Sequence, residues 1–130
     1  MSKRFLQSSL EKVLNQALSL DPYCTANLQK LDGKLIEIAL DNSEHLLRIR
    51  IVSTHVRVES PTEKDQPHVR IQGSVAAYIK MISDIRQARP VFGSQMCISG
   101  DVETVQTLKT LLSELEIDWE EQIAQWFGDT

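Results

Sequence analysis

Gln95-Met96-Cys97-Ile98-Ser99-Gly100-Asp101, followed by Val102-Glu103-Thr104-Val105-Gln106-Thr107-Leu108-Lys109-Thr110-Leu111-Leu112-Ser113-Glu114-Leu115, is the stretch whose reading decides the fold. Its first five residues are β-prone, with Met96 and Ile98 on one face and Cys97 on the other, where a small packed hydrophobe is expected. Gly100–Asp101 breaks the strand, and Asp101 is placed to accept hydrogen bonds from the orphan amides of a following helix. Val102, Val105, Leu108, Leu111, Leu112 and Leu115 then recur at three and four residues, which predicts an amphipathic helix. A second start at Asp118, with Glu120 and Glu121 in the first turn, predicts a short helix over about 118–127. The unit carries no evident catalytic group, so a function of shape is expected.

Upstream, residues 2–20 predict a helix with Leu6, Leu10, Val13, Leu14 and Ala17 on one face and Lys3, Gln7, Glu11 and Asn15 on the other. Asp21–Pro22 ends it and opens a second short helix that turns Tyr23, Leu28 and Leu31 inward, before the Asp32–Gly33 turn. Three strands follow, over 34–40, 46–51 and 55–59. Ile36, Ile38, Leu40, Leu47, Ile49, Ile51, Val56 and Val58 face inward, while Arg48, Arg50 and Arg57 face water. Their short connections predict an antiparallel meander. Beyond the polar segment 60–67 comes a fourth strand with Val69 and Ile71 inward. Ser74 then caps a helix with the stripe Val75, Tyr78, Ile79, Ile82 and Ile85. If the fourth and fifth strands are parallel neighbours, that helix is a right-handed crossover. The expected fold is α+β, a five-stranded sheet covered on one face by helices, in a single domain over 1–130 with its core at about 31–115.

A net charge of −4 with no basic tract excludes duplex nucleic acid as a partner. Cys24 and Cys97 lie far apart and predict free thiols. His45, His55 and His68 have no carboxylate or cysteine at ligand spacing, so no metal, cofactor or catalytic residue is expected. Glu114, Glu116, Asp118, Glu120 and Glu121 read as a solvated helix start. Arg48, Arg50, Arg57 and Arg70 read as ordinary solvation of a half-exposed sheet, with an anionic headgroup patch as the alternative. With neither a span-length apolar run nor a signal peptide, the expectation is a cytoplasmic protein with at most peripheral membrane contact. Aromatic residues are only 5% of the chain. Slim aliphatic side chains over a broad sheet can enclose an elongated cavity, and a filled core is the other outcome.

LDGKLIEIAL at 31–40, VRIQGSVAAYIKMI at 69–82 and MCISGDVETVQTLKTLLSELEIDWEEQIAQWFGD at 96–129 together resemble the sterol carrier protein type 2 domain family. Within it the resemblance is to the accessory factors of bacterial ubiquinone biosynthesis. It implies a hydrophobic tunnel between sheet and helices, a non-catalytic lipid-binding role, and a prenylated quinone intermediate as ligand. It also implies assembly with ubiquinone biosynthesis enzymes and with a small coiled-coil partner, UbiK. In proteins of that kind the contact is made through a helical C-terminal extension, which this sequence, ending at Thr130, is expected to lack, and a homodimer is left open. The expected lipid contacts are Ile79, Ile82, Leu108 and Leu112 from the helices and Ile38, Ile49, Met96 and Ile98 from the sheet. The alternative is a ligand-free scaffold, its pocket filled by its own side chains and its function protein–protein contact.

Overall fold

A strand that alternates aliphatic and charged residues has to bury one face only, and here the pairing carries that rule across the whole sheet. The structure, a computed structural model, describes residues 3–21, 24–41, 46–59, 65–86 and 96–115. In chain order these form α1 (Lys3–Leu20), α2 (Cys24–Lys30), β1 (Leu35–Leu40), β2 (Leu46–Val52), β3 (His55–Glu59), β4 (Val69–Gly73), α3 (Val75–Arg86), β5 (Cys97–Gly100) and α4 (Val102–Glu114). The second helix predicted near 118–127 and the exit segment 87–95 lie outside the described residues.

The sheet runs β3-β2-β1-β4-β5. The meander β1-β2-β3 is antiparallel as expected. β4 joins the far side of β1 in parallel, and β5 returns antiparallel to β4. The crossover expected at α3 is therefore absent, because β4 and β5 are antiparallel. The connection that crosses the sheet instead runs from β3 back to β4. Cross-strand pairing puts Ile36, Ile49, Val58 and Val69 in one row, and Ile38, Leu47, Ile71 and Ile98 in the next. One hydrophobic cluster joins this inner face to all four helices.

α1 packs its Leu10, Leu14 and Leu18 into that cluster and guards the β3 edge with its polar face. Asn15 accepts from the Val56 amide at 2.8 Å and donates to the Val56 carbonyl at 2.9 Å, while Glu11 accepts from the Val58 amide at 2.8 Å. Glu11 and Asn15, expected to face water, thus satisfy the outward backbone groups of an edge strand, which blunts it against pairing with another chain.

The outer face also departs from simple solvation at its centre. Glu37 is 4% exposed and Arg48 7%. Arg48 donates through Nη2 to Glu37 Oε1 at 3.0 Å and through Nη1 to the Asp65 carbonyl at 2.8 Å. Arg70 Nη1 meets Glu37 Oε2 at 2.6 Å, and Arg50 meets Glu59 and Asp65 at 3.2 and 2.8 Å. Leu35 and Ala39, on the same face as Glu37, are also buried, outside the main cluster. Arg57 remains exposed. The arginines are therefore largely neutralised by carboxylates rather than free for an anion.

Gly100 closes β5 at φ +129, and a Cβ there would lie 2.1 Å from the His68 carbonyl oxygen. Gly33 sits at φ +81 with nothing within 4 Å of such a Cβ. Gly33→Ala should therefore cost only backbone strain, roughly 1–2 kcal/mol. Gly100→Ala should cost clearly more, measured for both by urea unfolding. Equal losses would show that the β4–β5 approach is not as close as described.

Candidate functional site

Burial on the inner face falls from one end of the sheet to the other. Where α1, α2 and α4 converge, Ile36, Ile51, Val56 and Val69 are buried. Towards the Leu40–Leu47 end, Ile71 and Met96 stay buried, while Ile38, Leu47, Ile49, Val58 and Ile98 are only partly covered. The helices thus close one end of the aliphatic face and cover the other unevenly.

The α4 wall is firmly set. Asp101 caps the helix, accepting from the Thr104 amide at 3.1 Å and from the Thr104 hydroxyl. These bonds hold the Asp101 carboxyl below its ordinary range. Leu108, Leu111 and Leu115 are buried, Val105 and Leu112 pack beside them, and Asn27 of α2 donates to Glu114 at 3.2 Å. The capping role expected of Gly100–Asp101 is what the structure shows.

α3 is seated differently from the sequence expectation. Its sheet-side row is Ala77, Met81 and Asp84, with Asp84 buried and paired to Lys80 at 2.8 Å. Val75 and Ile79, expected inward, are 59% and 57% exposed. The cause lies at Gly73. A Cβ on Gly73 would meet Met96 Sδ at 2.7 Å and Ala77 Cβ at 3.3 Å. Glycine and alanine let helix and strand approach closely at this point, and that contact sets the rotation of α3. Tyr78 adds a polar tie, its hydroxyl lying 2.8 Å from the Ala39 carbonyl and 3.2 Å from that of Ile71.

Of the expected contacts, Ile38, Ile49, Met96, Ile98, Leu108 and Leu112 share the one apolar cluster. Ile79 stands apart on the exposed row, and the side chain of Ile82 lies outside the described residues. Tyr78 was legible only as part of an apolar stripe; nothing in the spacing marks its hydroxyl as a tie.

The chemistry offered by these residues is apolar. Cys24 has no exposed surface. Burial, then the hydrogen bond and charge of Asp21, push its thiol up to about 11. Cys97 is exposed on β5 instead of packed, because β5 is an edge strand with short, solvent-facing sides. Among the described residues no group of three histidines, cysteines or carboxylates is placed to hold a metal ion.

An aliphatic sheet face under amphipathic helices, more open at one end, defines a two-layer α+β domain built around an apolar surface. The chain belongs to the SCP-2 sterol transfer family, whose profile it matches over residues 14–113. Its fold is similar to that of UbiJ-SCP2, a ubiquinone synthesis protein, at 18% identity and TM-score 0.67, covering 87% of this chain and 93% of that one. It is similar to sterol carrier protein domain 2 of Helicoverpa armigera at 18% identity and TM-score 0.53, covering 79% and 82%. The apo form of sterol carrier protein 2 from Yarrowia lipolytica matches at 11% identity and TM-score 0.52, covering 91% and 98%. At such identities the likeness is one of fold. No curated protein shows significant sequence similarity to the chain. Among the described residues no helix is long and apolar enough to cross a membrane.

The two thiols should separate cleanly under iodoacetamide at neutral pH. Cys97 should be alkylated in the native protein and Cys24 only on unfolding, followed by peptide mass spectrometry. The raised Cys24 pKa also carries a pH sign. An acid whose folded pKa lies above its unfolded value adds stability below the unfolded value, and that stability is lost as pH rises. Thermal stability should therefore fall between about pH 9 and 11, and less so in Cys24→Ala relative to its own neutral-pH value.

Proposed function

We propose that the domain binds a lipid non-catalytically between α3, α4 and the inner sheet face, sheltering the polyprenyl tail of a quinone intermediate while separate enzymes work on the head. The observation that carries this reading is the graded burial of the inner face, with Ile38, Leu47, Ile49 and Ile98 incompletely covered by the protein's own side chains. Membership of a sterol transfer family and the likeness to a ubiquinone synthesis protein support it. Leu108, Leu112, Ile38, Ile49, Met96 and Ile98 form the site. The tail lies in a tunnel between the layers, in a cytoplasmic domain that meets membranes at most peripherally. The partners are quinone-modifying enzymes and UbiK.

Energetics favour an occupied site. An empty cavity costs about 24 cal/mol per Å³, so a void of ~300 Å³ would cost on the order of 7 kcal/mol. That is comparable with the whole stability of a small domain. Lipid fills such a space, or the helices close over it.

Organic extraction of the purified protein followed by mass spectrometry should release a prenylated quinone or related lipid. Ile49→Trp and Leu112→Trp enlarge partly covered positions on opposite walls. Each should lower uptake of a prenylated quinone analogue at least tenfold while circular dichroism stays unchanged. Parent-like uptake in both would place the ligand elsewhere. A lipid-free parent that binds no analogue would favour the scaffold reading.

A further inference from the structure

Among the described residues, the buried polar and charged side chains are Glu37, Arg48, Asp84 and Thr104. Buried polar groups are kept with partners, so each one calls for an account. Glu37 and Arg48 answer each other on the outer sheet face, with Arg70 beside them. Thr104 donates to the Asp101 cap. Asp84 differs. Its side chain is only 8% exposed, and its partner is Lys80 Nζ, 2.8 Å from Oδ2, on a side chain that is 51% exposed. Among the described residues no donor reaches Oδ1.

Asp84 shares the sheet-side row of α3 with Ala77 and Met81. Met81 packs on the same apolar cluster as Ile38, Met96, Ile98 and Leu112. Lys80 stands one turn back on the exposed side, so the pair straddles the border between the apolar layer and water. An ion pair with one exposed partner adds little stability, and an aliphatic residue here would bury without a desolvation cost. The half-satisfied carboxylate therefore burdens the fold, and its free oxygen is aimed at something else.

We propose that Asp84 is the head anchor of the lipid site, its Oδ1 accepting a hydrogen bond from a neutral hydroxyl on the ligand's head. This rests on the lipid-binding reading and adds what the head must carry. An ionised carboxylate only accepts, so its complement is a donor. The Lys80–Asp84 pair is net neutral, which sets the charge of that donor. An anionic head would face the carboxylate's lone pairs, and a cationic one would compete with Lys80. A hydroxyl, phenolic or alcoholic, donates without bringing a charge into the apolar layer. Heads that offer only carbonyl and ether oxygens leave Oδ1 unmet, so the site favours hydroxylated heads over them. With the anchor at the border, the tail lies along the aliphatic face and the far side of the head meets water beside Lys80.

The test uses the whole chain with a long-chain alkylphenol, an alcohol of equal chain length, and the methyl ether of each. Binding is followed by displacement of a pyrene-labelled alkane. A hydroxyl probe should bind about tenfold tighter than its ether, the factor given by one hydrogen bond to a charged group. Preference for the phenol alone assigns an aromatic head, and for the alcohol alone an aliphatic one. Asp84→Leu should bring hydroxyl and ether within about twofold of each other, with the ethers held at least as tightly as by the parent. Asp84→Asn, which keeps an acceptor without its charge, should retain a preference of about threefold. A role confined to the Lys80 pair would move thermal stability in Asp84→Leu and leave the hydroxyl-to-ether ratio where it was. That result, or a parent with no preference, overturns the anchor and leaves the lipid reading intact. A parent that binds neither the alkane nor any probe removes the lipid reading, and the anchor with it. Should Asp84→Leu not fold, Asp84→Asn decides, and an undiminished preference there overturns the proposal.

Discussion

Glu37 holds an arginine on each neighbouring strand, Arg48 of β2 and Arg70 of β4, and the rest of the fold depends on that triad. The buried Glu37–Arg48 pair contributes little net stability, since desolvation offsets most of its attraction, yet removing either partner strands a buried charge at a cost of roughly 3–5 kcal/mol, whereas Arg70 reaches Glu37 from an exposed position. Its value is therefore in register. A one-residue slip of β1 would carry Glu37 into the aliphatic face and Ile36 and Ile38 out of it. Arg48 and its strand neighbour Arg50 receive the segment returning from β3, through the Asp65 carbonyl and carboxylate respectively. With the outer face locked by charge, the inner face is left wholly aliphatic along β1 and β2.

How far this could be read from sequence depends on the range of the contact involved. The alternation in LIEIAL and LLRIRIV fixes which side chains share a face, and the cross-strand registers confirm that set. Asp101 and Gly100 declare a strand end and a helix start through local chemistry alone, and both act there as expected. What periodicity cannot show is which strands become neighbours. The insertion of β4 parallel to β1 depends on a long return, so the crossover expectation at α3 failed. Arg48 looked solvated because no local pattern reveals that Asp65 will lie above it.

The candidate site shows the same division. Ile38, Ile49, Met96, Ile98, Leu108 and Leu112 were legible because strand and helix periods mark core faces. Ile79 was misplaced for a specific reason. Helical rotation follows the closest contact, and in α3 that contact is made by Gly73, Ala77 and Met96, the smallest side chains present and a flexible one. A hydrophobic stripe weighs residues by size and so points to Val75 and Ile79. Likewise Glu11 and Asn15 read as a polar helix face, although their partners are backbone groups forty or more positions away.

For a lipid-binding domain of this build, affinity alone cannot set the function. Each buried CH₂ is worth roughly 0.8 kcal/mol relative to water, and a prenyl tail gains that in the protein and in a bilayer alike. The exchange between them is then close to neutral however well the inner face fits the tail. What the protein can control is the rate of exchange and the direction in which the head is left exposed. Leu108, Leu111 and the Asp101 cap hold α4 against the sheet, so the wall they make has one fixed position over the aliphatic face.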